Sequence, residues 1–169
     1  MKASENKVKN VIKLFSIIIL VFFTVSQANS AVPIKLYNAE FSGDDPNSQA
    51  IAYDTTNNKI VIAYRDGGNS SYGTAIVGTI SGSSVSFGTA VVFASAATND
   101  VSSDFDSTAN KVLITHNIAS SGGGKTIVGT VSGTSISFGS GVVIDGSLTT
   151  TIENTATVYD PDSNKTVVI

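Results

Sequence analysis

The sequence predicts an all-β fold, on two observations. The first is an internal repeat. VGTISGSSVSFGTAVVF, residues 77–93, returns at 128–144 as VGTVSGTSISFGSGVVI, 51 residues on (Gly78 to Gly129) and without a gap. A second phrase precedes each copy, YDTTNNKIVIAY from Tyr53 and FDSTANKVLITH from Phe105. It starts a third time at Tyr159 as YDPDSNKTVVI. A period of this length signals supersecondary units that bury their apolar faces only by stacking on one another. The second observation is spacing. After residue 30 no stretch carries a helical period, whereas alternation, β-branched runs and glycine turns recur.

Residues 1–30 read as a secretory signal. Lys2, Lys7, Lys9 and Lys13 form a positive head, and Leu14 to Val25 an apolar core. That core is about 12 residues, short of the roughly 20 a spanning helix needs. Ala28-Asn29-Ser30 places small residues before a cut at Ala31. The exported chain is expected to begin at Ala31, and mass spectrometry of its N-terminus checks this. A mature chain still carrying Leu14 to Val25 would instead be membrane-anchored. The expected location is secreted, periplasmic or at the cell surface, with membrane contact only through the signal peptide before cleavage. No cysteine is present, so disulfides, thiolate metal sites and a lipid-modified cysteine are excluded.

Residues 31–49 read as an N-terminal strand, Val32 to Phe41, and a turn-rich loop, Ser42 to Ser48. Pro33 suits a strand start or an edge. Residues 50–169 form about two and a half repeat units. In the first, Ala50 to Tyr53 is a short extended segment and Asp54 to Asn58 a turn of the Asx kind. Lys59 to Tyr64 is apolar on both faces, as a strand covered on both sides must be. Arg65 to Tyr72 is a polar loop and Thr74 to Ile80 the next strand. Gly82 supplies positive φ for a tight turn. Ser84 to Phe87 alternates, and Ala90 to Phe93 continues the outer strand past a bend at Gly88. The second unit replays this over Lys111 to His116, Thr126 to Val131 and Ile136 to Ile144. Its loop, Asn117 to Gly124, is one residue shorter than the counterpart between Tyr64 and Thr74, so length varies in the loop and not in the strands.

Four strands per roughly 51 residues, joined by hairpins, is the anatomy of a β-propeller blade. The alternatives are a β-sandwich and a β-solenoid, and strand order separates them. Closed propellers hold about 4–8 blades, so fewer than three units imply a fragment of a longer array or a homo-oligomer that completes a ring.

Three runs carry a family resemblance: Asp54 with Asn58 to Ile62, then Thr74 to Gly78, then Phe87-Gly88. Their order resembles FG-GAP-type propeller blades. It is similar also to an uncharacterised repeat of exported or tail-fibre-like proteins of marine bacteria and their phages. The resemblance spans residues 50–169 and implies blades with a calcium loop ahead of the apolar strand. FG-GAP blades use a DxDxDG-like run there. Only Asp160, Asp162 and Asn164 keep alternate oxygen donors here, against the six to eight a calcium ion needs. The same three residues also suit an Asx turn.

Beyond Ser30 there are six basic and twelve acidic residues, a net charge of −6. Nucleic acid is therefore not the expected partner, because phosphate binding relies on clustered Lys and Arg. SSGGGKT, 120–126, imitates a phosphate loop. It has Ala119 where that motif needs glycine, and its Lys125 opens a strand rather than a helix. His116 is the sole histidine, at the end of a buried strand, and cannot build a zinc site alone. No GxSxG elbow is present, and the pairs Asp104/Asp106 and Asp44/Asp45 lie in turns. Tyr64, Tyr72 and His116 are the candidate ligand-binding residues, near strand ends where an apolar body with a polar tip can stack on a sugar. Tyr53 is assigned to the core. The expected function is an exported binding, adhesion or structural module without a catalytic site or cofactor, calcium being the one candidate. Its partner would be a glycan or a protein surface. The alternatives are a fragment of a propeller-type carbohydrate-active enzyme and a tail-fibre-like structural segment.

Overall fold

The computed structural model describes residues 41, 46–120, 123–144 and 154–169, all within one compact body, Lys35–Ile169. The expected signal segment and the strand expected over Val32 to Phe41 lie outside the described residues, except Phe41. The ring of Phe41 packs edge-on against Tyr64 and Phe87.

Among the described residues the fold is all-β, with eleven strands paired antiparallel throughout. They are β1 (Pro46–Asp54), β2 (Lys59–Asp66), β3 (Tyr72–Ser81), β4 (Ser84–Phe87), β5 (Val91–Asp106), β6 (Lys111–Ile118), β7 (Gly124–Ser132), β8 (Ser135–Phe138), β9 (Val142–Val143), β10 (Thr157–Asp160) and β11 (Lys165–Val168). The first unit runs β1-β2-β3, and the outer edge of β3 is shared by β4 and the start of β5. The second runs from the end of β5 through β6 to β7, whose outer edge is shared by β8 and β9. The third supplies the hairpin β10-β11.

Two boundaries differ from expectation. β1 begins at Pro46, inside the stretch read as a loop, because a bulge at Ser48 (φ 50°) lets the strand resume pairing at Ala50. The outer strand expected to stop at Phe93 runs on to Asp106, so that β5 is 16 residues long. Its first part pairs with β3, Tyr72 to Ala97 through Ala75 to Val91, and its second with β6, Thr98 to Ile118 through Asp106 to Lys111. A second bulge at Asp100 (φ 49°) marks the crossing. Asn154 takes the same left-handed conformation ahead of β10, so this kink repeats in all three units.

The turns repeat as the sequence does. Asp54, Asp106 and Asp160 each accept the backbone N–H groups two and three residues on. Asn58, Asn110 and Asn164 close these turns at φ 52–55°, a conformation Asn tolerates. Gly82 and Gly133 take φ 58° and 62° in the outer hairpins. A Cβ there would meet nothing within 4 Å, so the cost of a side chain is conformational alone. Gly82→Val or Gly133→Val should destabilise by about 1 kcal/mol or more. Unchanged urea midpoints for both variants would contradict this.

The Phe-Gly pair that ends each outer strand has two jobs. Phe87 pairs across the ladder with Gly78, and Phe138 with Gly129. A Cβ on either glycine would sit 3.0 Å from its ring, so the missing side chain lets each ring lie on the backbone. The glycine after each Phe donates its N–H back to β3 or β7, Gly88 to Val77 and Gly139 to Val128.

Side-chain alternation gives each unit a front and a back. The back of the first unit contributes Ala52, Val61, Ala63, Ala75 and Val77 to the main core. The front of the second contributes Phe105, Val112, Ile114, Ile127 and Ile136. Alanines on one surface leave room for the large residues of the other. A smaller cluster, Ile62, Tyr64 and Ile76 with Phe41, Ile60 and Phe87, covers the front of the first unit. This explains why β2 is apolar on both faces. Polar bonds tie successive units at the rim: Val101 N–H donates to Ser48 Oγ, and the Thr155 hydroxyl to the Asp100 carbonyl.

Candidate functional site

The three calcium candidates form a turn. Both Asp160 carboxylate oxygens are engaged, Oδ2 by the Ser163 hydroxyl (2.6 Å) and Oδ1 by the N–H groups of Asp162 and Ser163. Those bonds, the hydroxyl foremost, hold the Asp160 carboxyl below its usual range. Asn164 spends its side-chain oxygen on the Tyr159 hydroxyl at 3.0 Å. Asp54 makes the equivalent turn in the first unit, with Asn57 Nδ2 on its second oxygen at 2.8 Å. Among the described residues no three His, Cys, Asp or Glu side chains converge on a point.

The tyrosines exchange the roles expected of them. Tyr64 is buried beneath Phe41 and presents no ring face to solvent. Tyr53, assigned to the core, stands half-exposed on β1, its hydroxyl donating to Asn58 Oδ1 at 2.7 Å. The reason is parity: Tyr53 lies on the front of β1, opposite the inward-facing Ala52 and Asp54. Tyr72 is half-buried at the start of β3, paired with Ala97 of β5. Tyr64, Tyr72 and His116 do not converge on one site.

His116 occupies the place of Tyr64 in the second unit and does line a cavity. The cavity has a volume of about 290 Å³ and lies where the back of the first unit meets the front of the second. Phe93 to Ala96 of β5 form one wall, His116 and Ile118 of β6 with Lys125 and Ile127 of β7 the other. The Phe93 ring tilts over the imidazole at a centroid distance of 5.1 Å. Burial, and then the nearby Lys125 ammonium, lower the His116 pKa to about 4, so the ring is neutral at pH 7. Its Nδ1 is buried with no hydrogen-bond partner. Such an orphan is costly unless something fills it. Lys125 faces His116 directly across the β6–β7 ladder and is half-buried.

Comparison of the chain with protein-family models, with curated proteins and with solved structures gave no match.

Phe93 and Lys125 were not among the residues selected from sequence. The signal for Lys125 was present: it stands where the first unit has Thr74, in a strand that does not need a charge. Phe93 became legible only when β5 was seen to cross between units.

Proposed function

We propose that the chain is a propeller-like array of exported blades that acts as a non-catalytic binding module. In this proposal the His116–Lys125 cavity takes a small hydroxylated anion such as a sugar acid. The half-buried Lys125 on the cavity wall, facing His116 across the β6–β7 ladder, carries the reading. A hydroxyl can donate or accept, so it suits the polar groups that line the cavity. A carboxylate beside it would meet the Lys125 ammonium, a charge-assisted bond stronger than a neutral one. Blade architecture is supported by the strand order within each unit and by the way the outer strand of one unit becomes the inner strand of the next. The contacts of β5 with both β1 and β10 bring the inner strands together.

Galacturonate titrated into the protein should shift the His116 ring resonances. It should bind about tenfold more tightly than galactose, about 1.4 kcal/mol, and Lys125→Met should erase that preference. Unmoved His116 resonances with every hydroxylated anion tried would overturn the assignment.

A further inference from the structure

Resting on the anion site proposed above, we infer that the cavity binds its anion together with a proton, which His116 carries, so that capture strengthens as the surroundings acidify. The second unit departs from the first at the cavity. Tyr64, Thr74 and Ala90 of the first unit stand where the second has His116, Lys125 and Gly141. All three of those second-unit residues line the cavity. In the first unit Tyr64 and Thr74 are each 1% exposed, and the Phe41 ring covers the tyrosine. The surrounding frame is shared. Phe93 packs against His116 and Phe138 much as Phe41 packs against Tyr64 and Phe87. Within that frame a phenol is exchanged for an imidazole, an ammonium is added and a methyl is removed. Gly141 borders the Lys125 stem, and a Cβ on it would stand 3.9 Å from Lys125 Cδ.

The charges around the imidazole are one-sided. Lys125 faces it across the β6–β7 ladder. β2 brings a second cation to the same junction, Arg65, whose guanidinium donates to Asn99 Oδ1 and the Ser71 hydroxyl. On β6 itself the other charge is Lys111, at the far end and bonded to the Thr130 hydroxyl. From β3 the titratable group is Tyr72, paired with Ala97. The carboxylates of β5 are engaged elsewhere. Asp100 accepts from Asn117 Nδ2, Asp104 from the Tyr159 N–H, and Asp106 from the N–H groups of its own turn. Among the described residues no carboxylate lines the cavity. A proton on His116 therefore has a cation beside it and no anion to balance it. A ligand carboxylate on Lys125 reverses this. It cancels the nearest repulsion and brings an opposite charge close to the ring, which raises proton affinity by about ten- to a thousandfold. Such coupling is reciprocal, so the proton tightens the anion by the factor with which the anion draws the proton. The ligand need not touch the buried Nδ1, because the two charges act through space.

The test follows galacturonate binding to the exported full chain from pH 7.5 to 5.0, a range in which a carboxyl of pKa about 3.5 stays ionised. Affinity should rise about tenfold across that range, the gain expected if the bound anion raises proton affinity about a hundredfold. The affinity for galactose, which is neutral, should stay constant. Calorimetry in two buffers of different ionisation heat should show a proton taken up with galacturonate at pH 5.0. The NMR titration midpoint of the His116 ring should lie higher with saturating galacturonate than without it. His116→Phe should lose the pH dependence, whatever affinity it keeps at pH 7.5. A galacturonate affinity that is constant, or that weakens as the pH falls, would overturn the inference and leave the anion site standing. So would a His116 midpoint that galacturonate leaves unmoved or lowers. Galacturonate that binds at no pH would overturn both.

Discussion

Lowering the pH from 7 to 4 should remove about 3 kcal/mol of folding stability through His116 alone, at about 1.4 kcal/mol for each tenfold change in proton affinity. Burial first, and the Lys125 charge second, depress its pKa from 6.5 to about 4. Above pH 6.5 the ring is neutral in both folded and unfolded chains, and the contribution is fully present. Between 6.5 and about 4 the unfolded chain binds a proton that the folded chain refuses, so stability falls as the pH falls. Below about 4 both states are protonated and the slope from this group ends. Urea unfolding of wild type and His116→Phe across this window isolates the effect. Phenylalanine keeps an aromatic ring beside Phe93 and stands where the first unit has Tyr64, so the variant should fold and lose the slope. Identical pH dependence in the two proteins would place the His116 proton elsewhere.

The two Phe-Gly pairs should respond very unequally to one added methyl. A Cβ on Gly88 would overlap the backbone carbonyl oxygen of Thr134, in the outer hairpin of the second unit. No rotamer relieves a clash with backbone, so the β7-β8 hairpin must withdraw from the first unit. Gly88→Ala should therefore cost about 3 kcal/mol, as severe overpacking does. At Gly139 the nearest atom is 3.9 Å away, an ordinary contact. Gly139→Ala should be neutral to about 0.5 kcal/mol. Equal changes in the two denaturation midpoints would show that the units do not meet at Gly88.

Elements written into local chemistry were legible in the sequence. Aspartate and asparagine placed the three inner turns, Gly82 and Gly133 the hairpins, and the double-faced run Lys59 to Tyr64 the buried strand. Gly88 was read as a bulge or bend, and it lies in the break between β4 and β5. That a neighbouring hairpin presses on it depends on how units stack, and no local pattern encodes stacking. The same limit hid the length of β5. Over Ser95 to Asp104 the alternation is diluted by small residues that suit a strand with neighbours on both sides, so no strand was expected there. The site followed this logic. His116 was visible as a lone histidine. Its orphaned nitrogen and the Phe93 above it arise only at the junction of two units. The misassigned tyrosines show the parity problem in its simplest form. Tyr53 and Tyr64 are equally aromatic, and what separates them is which surface of the sheet another unit covers.

A strand owned by two units also constrains how such a chain can lengthen. β5 leaves no linker at the boundary, so one unit cannot be excised without cutting through a ladder on each side. A segment one full period long, taken from the middle of one inner-to-outer strand to the middle of the next, carries both severed halves. Spliced back into the same position, it restores an unbroken strand at each seam and needs no new turn. The array can therefore grow by tandem duplication in whole periods. A seam displaced by a single residue would invert the inward and outward sets of every downstream strand until a kink such as that at Asp100 reset them.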